Sequence, residues 1–163
     1  MMEIKEGFYK ILHPKLTVLV CSKWKKDNVM ACAWLTPVSE EPPLLLVCID
    51  KNSFTAKQIS KTKEFTINIP DSSLRNKVLI CGKKSGEKID KAKLAGLTYA
   101  DSMAVKPKII KECIGHIECK VTKRIDGGEC YVFLAKVLKS YVDEKFFEKK
   151  KLLHLSGDKF IEA

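Results

Sequence analysis

A chain of 163 residues, 45% of them hydrophobic, suits one domain (1–163) around one core. Its apolar runs, such as Leu44 to Ile49, are only strand length, which excludes a membrane-spanning helix. The net charge of +10, from 30 basic and 20 acidic residues, favours phosphate-bearing ligands. Arg75 and Arg124 are the only arginines, so the planar fork that reads bases is scarce and sequence-specific nucleic-acid binding is disfavoured.

The first residues, MMEIKEGFYK, lack the apolar centre of a signal peptide. Seven cysteines are an odd number and none forms a Cys-x-x-Cys pair. Cys21, Cys32, Cys48, Cys119 and Cys130 lie in apolar runs, where free Cys acts as a small hydrophobe. These features predict a reducing, cytoplasmic setting without a disulfide framework.

In chain order, Leu16 to Ser22 predicts a strand, the polar Lys25 to Asn28 a turn, and Val29 to Leu35 a return strand. The run "NVMACAWLTPVSEEPPLLLVCI" then breaks at Thr36-Pro37 and resumes at Leu44. Every position from Leu44 to Ile49 is apolar, which predicts a strand buried on both faces. Asn52 or Ser53 can cap a short helix, and Phe65, Ile67 and Ile69 alternate as a strand ended by Pro70. Asp71 or Ser72 can cap a helix carrying Leu74, Val78 and Leu79, closed by Gly82. A brief helix through Leu94 stops at Gly96.

Ile117 to Ile125 alternates, Asp126-Gly127-Gly128 is a hairpin turn, and Cys130 to Val142 is an unusually long return strand. Leu152 to Leu155 and Lys159 to Ile161 add edge pieces. About seven strands with two or three short helices predict an all-β fold, a closed barrel.

Cys113-x-x-His116-x-x-Cys119 has metal-like spacing, but residues three apart on a strand face opposite sides and cannot converge on one ion. His116 is expected on the solvent side, and no metal site is expected. Lys51 to Thr55 pairs a helix N-terminus with the hydroxyls of Ser53 and Thr55 and the charge of Lys51, which is a sound phosphate site. A capped surface helix would need only one of those hydroxyls. The Lys83–Lys91 loop, with two lysine pairs' worth of charge around Ser85 and Gly86, could close over the same anion or be a mobile basic loop. Three histidines and no glycine-rich Rossmann fingerprint leave little side-chain catalysis.

The stretches "ACAWLTPVSEEPPLLLVCI", "NSFTAKQISKTKEFTINIP", "CGKKSGEKIDKAKLAGL", "HIECKVTKRIDGGECYVFLAKV" and "LLHLSGDKF" resemble, in order, the flavin reductase-like family of FMN-binding split barrels. The resemblance implies a six-stranded Greek-key barrel with short helices, a homodimer, and FMN near the dimer interface. It puts Cys32, Ala33, Trp34, Leu35 and Thr36 along the isoalloxazine ring, with Cys48, Ile49 and Asp50 approaching from the next strand. It assigns Ser53, Thr55 and Lys91 to the phosphate and His154 to the nicotinamide side.

The implied activity is an FMN-dependent oxidoreductase passing electrons from NADH or NADPH to a flavin, a ferric complex or a partner protein. The alternatives are a flavoredoxin-like FMN electron carrier not reduced by NAD(P)H and, from another class, a basic barrel binding nucleic acid. The last is disfavoured by an aromatic content of 8%, since such barrels stack bases on exposed aromatics.

Overall fold

Residues 3–163 are described by the computed structural model. After a 3-10 turn at Phe8–Leu12, the chain forms β1 (Lys15–Leu16) and β2 (Val18–Lys23), then returns as β3 (Asp27–Cys32). Asp27 and Asn28 belong to β3 rather than to the preceding turn, because they pair with Lys23 and Ser22. The break then gives β4 (Leu35–Ser39) and β5 (Leu44–Asp50). Pro37 sits in β4, an edge strand, where a missing N–H is tolerated. Helix α1 (Phe54–Thr62) follows the Ser53 cap, and β6 (Glu64–Ile69) ends at Pro70.

Asp71 caps a 3-10 turn that runs into α2 (Arg75–Lys83). Gly82 does not end this helix: the last turn includes it and Lys84 follows as the cap. Asp90 caps α3 (Lys91–Ala95), and Gly96 ends it in the left-handed region at φ 64°. Short β7 (Tyr99–Ala100) and β8 (Ile109–Ile110) precede the long hairpin of β9 (Gly115–Gly127) and β10 (Cys130–Val142). β11 (Leu152–Ser156) and β12 (Lys159–Glu162) pair beside β1.

The main sheet has seven antiparallel strands in the order β3-β2-β6-β9-β10-β5-β4. Its two edges, β3 and β4, are consecutive in the chain and joined by only Ala33 and Trp34. They do not pair with each other, so the fold is the split barrel that the resemblance implies rather than the closed barrel suggested by the strand count. The curvature shows in contacts between strands far apart in the sheet. The Cys32 thiol of β3 lies 3.8 Å from the Cys48 carbonyl of β5, while the bond from the Cys48 N–H to the Trp34 carbonyl, at 2.8 Å, carries the β4–β5 ladder into the link.

Inside the curve, Val18, Val20, Val47, Ile49, Phe65, Ile67 and Phe133 form one core, which Ala56 and Ile59 of α1 plug. A second core packs the outer side of β2 and β3 (Leu19, Cys21, Val29) against Val78 and Cys81 of α2, and Ala92 and Ala95 of α3. β2 is therefore the strand buried on both faces. β5 alternates instead: Leu45, Val47 and Ile49 are buried, while Leu44, Leu46 and Cys48 stay partly open. Among the described residues, no element covers that outer face as α2 and α3 cover β2.

His116 is buried rather than solvent-facing. Its Nδ1–H donates to Asn68 Oδ1 at 2.9 Å, and its ring packs against Tyr141. Cys113 and Cys119 lie in different cores. Glu118, fully buried on β9, accepts from the N–H groups of Met103 and Ala104 and from the Tyr141 hydroxyl. Thr66 and Asn68 of β6 hold Lys108 and Ile110 in the same way. The segment from Asp101 to Ile110 is thus fixed to the sheet by buried polar side chains.

Two outcomes follow. Glu118→Leu strands three donors, and urea denaturation should show a loss of about 3 kcal/mol. Burial holds His116 below its ordinary pKa of 6.5. Below that value the unfolded chain takes up a proton that the folded chain resists, so stability is full above about 6.5 and falls as the pH is lowered. Melting temperatures at pH 7.5 and 5.5 should therefore differ more in the parent chain than in His116→Gln.

Candidate functional site

A groove runs between β3 and the second half of α2. One part, about 220 Å³, is lined by Thr17, Ala31, Cys32 and Ala33 on one side and by Val78, Leu79, Gly82 and Lys83 on the other. His154, Gly157, Asp158 and Phe160 of the β11–β12 hairpin complete it. The second part, about 140 Å³, is lined by Met30, Ser53, Phe54, Thr55, Cys81, Lys84, Ser85, Gly86 and Lys91. Ala31 and Gly82 line both parts, so the groove is continuous. Its size is that of a small-molecule site, roughly 300–1,000 Å³.

The second part has the chemistry of an anion site. Ser53 Oγ caps α1 by accepting from Ala56 N at 3.1 Å and donates to the Asp50 carbonyl at 2.8 Å. The first-turn N–H groups of α1 therefore sit at the groove, with the positive end of the helix dipole. Lys91, the first residue of α3, is buried, and among the described residues its ammonium reaches only the Cys81 carbonyl, at 3.0 Å. Burial pushes its pKa down, against a smaller opposing effect of Cys81 and Cys21. A neighbouring anion would reverse that cost. The 84–90 loop lies close because Gly86 has no side chain: a Cβ there would sit 1.8 Å from Asn28 Oδ1.

The first part is apolar with a few unspent polar groups. The Thr17 hydroxyl is buried and has no partner among the described residues. Such a group calls for a partner, here one that the groove can admit. The Cys32 thiol, also buried, is pushed up to about 12 and stays protonated. His154 Nε2–H donates to the Gly157 carbonyl at 2.9 Å, and its ring packs between His13 and Phe160. Lys83 pairs with Asp158 across the mouth, tying α2 to the β11–β12 turn. Among the described residues that line the groove, this ion pair is the one close acid–base pair, and it is engaged in tying the two elements together. It is built to bind and orient a flat, partly apolar molecule with an anionic end.

The expected site residues separate into groups. Cys32, Ala33, Ser53, Thr55, Lys91 and His154 all line the groove. Trp34, Leu35, Thr36 and Cys48 line a different cavity of about 180 Å³, with Phe8, Tyr9, Leu12 and Leu46. The Ala33–Trp34 link divides the two, and Tyr9 packs edge-on against Trp34 at 5.3 Å between centroids. Ile49 and Asp50 reach neither cavity. Ile49 is in the core, and Asp50 is exposed and accepts from Asn52 N at 2.7 Å. The Lys51 charge is likewise turned away, paired with Asp126 at 2.6 Å. Lys83, Lys84, Ser85 and Gly86 of the basic Lys83–Lys91 loop line the groove too, whereas Thr17, Ala31, Leu79 and Phe160 were not anticipated. Only Thr17 carried a signal, as a lone hydroxyl inside an apolar run.

Among the described residues, no helix is long and apolar enough to cross a membrane. The model of the flavin reductase like domain matches residues 11–160. An uncharacterised protein of Pyrococcus abyssi is 36% identical over 94% of this chain and 92% of its own length. The reductase subunit HsaB of a flavin-dependent monooxygenase from Mycobacterium tuberculosis is 28% identical, over 78% of this chain and 65% of that one. The crystal structure of a flavoredoxin from Methanosarcina acetivorans superposes with a TM-score of 0.87, at 26% identity, covering 100% of this chain and 92% of that one. With the match spanning nearly its whole length, the chain belongs to the flavin reductase-like domain family.

Proposed function

We propose that this chain is an FMN-binding oxidoreductase that takes electrons from NADH or NADPH and passes them to a flavin, a ferric complex or a partner protein. The observation that carries the reading is the continuous groove. It is apolar where Ala31–Ala33 face α2, and it ends at a helix N-terminus with a buried, underused ammonium. Bound there, FMN supplies the hydride and single-electron chemistry that no side chain of the groove possesses.

In this reading Ser53, Thr55, Lys91 and the N–H groups of α1 hold the phosphate. Cys32 and Ala33 lie along the ring, with the Thr17 hydroxyl available to one of its polar atoms. Gly82 leaves room for the ring, since even a Cβ there would touch Ala31 at 3.4 Å. His154, held by Gly157, and Phe160 flank the open side, where the nicotinamide would enter. The similarity to a monooxygenase reductase subunit favours direct reduction by a nicotinamide. The similarity to a flavoredoxin favours the second reading, an FMN carrier reduced by another protein.

The cavity around Trp34, Leu35, Thr36 and Cys48 belongs, in this proposal, to a homodimer face. Phe8, Ile11 and Leu12 are 70%, 67% and 60% exposed beside it, and the open side of β5 continues it through Leu44 and Leu46. Contiguous apolar surface of this kind is typical of interfaces rather than of free surface. A second copy would cover the outer side of β5. The seven free thiols suit the cytoplasm.

FMN added to purified protein should quench in fluorescence, and Lys91→Met should weaken binding at least tenfold. Unchanged FMN fluorescence would defeat the proposal. Stopped-flow mixing with NADH and with NADPH should bleach the bound flavin; if neither does, the carrier reading replaces the reductase. Sedimentation should give twice the chain mass of 18.4 kDa, and Leu46→Lys should shift it toward the monomer.

A further inference from the structure

Behind Thr55 lies a buried polar chain that leads away from the groove. Gln58, Ser22, Asn28 and Thr55 are all at most 3% exposed. Gln58 Nε2 donates to the Lys26 carbonyl at 2.9 Å. That bond fixes the amide's orientation, so Oε1 must accept, and it does so from the Ser22 hydroxyl at 2.7 Å. With its own proton committed, the Ser22 oxygen accepts from Asn28 Nδ2 at 3.2 Å. The other Nδ2 hydrogen of Asn28 goes to Thr55 Oγ1 at 2.8 Å.

Each bond in this series dictates the direction of the next. A carbonyl can only accept, so polarity propagates from Lys26 O through three side chains to Thr55. At the end of the chain, the Thr55 oxygen is engaged as an acceptor and its hydrogen is left over. Thr55 donates to no group among the described residues, although Thr62 on the same helix gives its hydroxyl to the Gln58 carbonyl. Thr55 lines the groove beside Ser53 and Lys91, so its unspent hydrogen is available to an acceptor there.

From this geometry we infer that Asn28 is a positioning residue that orients the Thr55 hydroxyl as a donor to a terminal phosphate, making the chain select phosphorylated over unphosphorylated flavin. The inference rests on the proposed phosphate site and adds a polarity to it. A phosphate dianion accepts but does not donate, so an acceptor-facing hydroxyl would repel it and a donor-facing one holds it. Gly86 belongs to the same device. Its missing side chain lets the 84–90 loop press on Asn28 Oδ1, which has no hydrogen-bond partner among the described residues. The amide is thereby held with its nitrogen toward Ser22 and Thr55.

The test is fluorescence titration of the full chain with FMN and with riboflavin, which lacks the phosphate. The parent chain should bind FMN more tightly. Thr55→Val and Asn28→Ser should each weaken FMN about tenfold and leave riboflavin unchanged, as expected for one hydrogen bond to a charged group. The double variant should be no weaker than Thr55→Val alone, because Asn28 acts through that hydroxyl. Thr55→Ser should keep the preference. If Asn28→Ser fails to fold, the nearly isosteric Asn28→Asp carries the test: its carboxylate draws the Thr55 hydrogen inward, and the FMN preference should again fall.

The inference is overturned if either Asn28 variant leaves the FMN preference intact or weakens both flavins equally. It is also overturned if the losses of Asn28→Ser and Thr55→Val multiply in the double variant. A parent chain that binds both flavins equally would instead remove the phosphate site itself, and the inference with it.

Discussion

Two residues, Ala33 and Trp34, carry the chain from one edge of a seven-stranded sheet to the other. Six strand pairings separate β3 from β4 around the sheet, yet the covalent link leaves only a few ångströms between their ends. The sheet must therefore curl until its edges meet. This single constraint makes the interior that Phe65, Phe133 and Ile59 fill. It also leaves the edges unpaired, which is why the structure is a split barrel. The bonds from Trp34 O to Cys48 N and from the Cys32 thiol to the Cys48 carbonyl secure the junction.

The same link sorts the surface. Residues before it, Ala31 to Ala33, face α2 and form a wall of the groove. Residues after it, Trp34 to Thr36, face the other way onto an apolar cavity. Side chains of neighbouring extended residues point to opposite sides, so a two-residue crossing can serve two surfaces at once. The groove is polar only at its far end, where helix termini and Lys91 converge. An apolar length joined to a cationic end is a division that suits an amphipathic ligand, and it needs no acid–base residue.

Much of this was legible in the chain itself. Capping chemistry located the start of α1 and the end of α3, because Ser53 and Gly96 each satisfy a local backbone need that no distant contact overrides. That Ser53 and Thr55 stand together at a helix terminus was legible for the same reason, since a helix terminus and its hydroxyls are local. What escaped depended on packing partners far away in sequence. Thr17 and Phe160 meet α2 only after the sheet has curled. His116 alternates correctly on its strand, but the segment after β7 crosses over it and buries the face that a lone sheet would expose. Gly82 looked like a helix stop, whereas here its smallness serves close approach to Ala31 rather than a turn. Strand alternation sends the Ile49 side chain into the core, and the turn before α1 occupies the Asp50 carboxylate.

The pattern of β5 makes the last point. An unbroken apolar run ordinarily means a strand covered on both faces. In this chain that description fits β2, whose outer face α2 and α3 cover, even though Ser22 and Thr17 interrupt its apolar run. β5 has the more uniform apolar sequence and the less complete cover. Leu46 and Cys48 meet Phe8, Tyr9 and Leu12 across one cavity, but that cover is partial and leaves Leu44, Leu46 and Cys48 half-open. The discrepancy between pattern and burial is informative because periodicity reports the environment the strand occupies in use, including whatever lies outside the polypeptide. By that argument the outer side of β5, continuous with Trp34 and the Phe8–Leu12 turn, is written as core. In the proposed dimer a second copy would complete that core, and the Ala33–Trp34 link would then have a groove on one side and a subunit contact on the other.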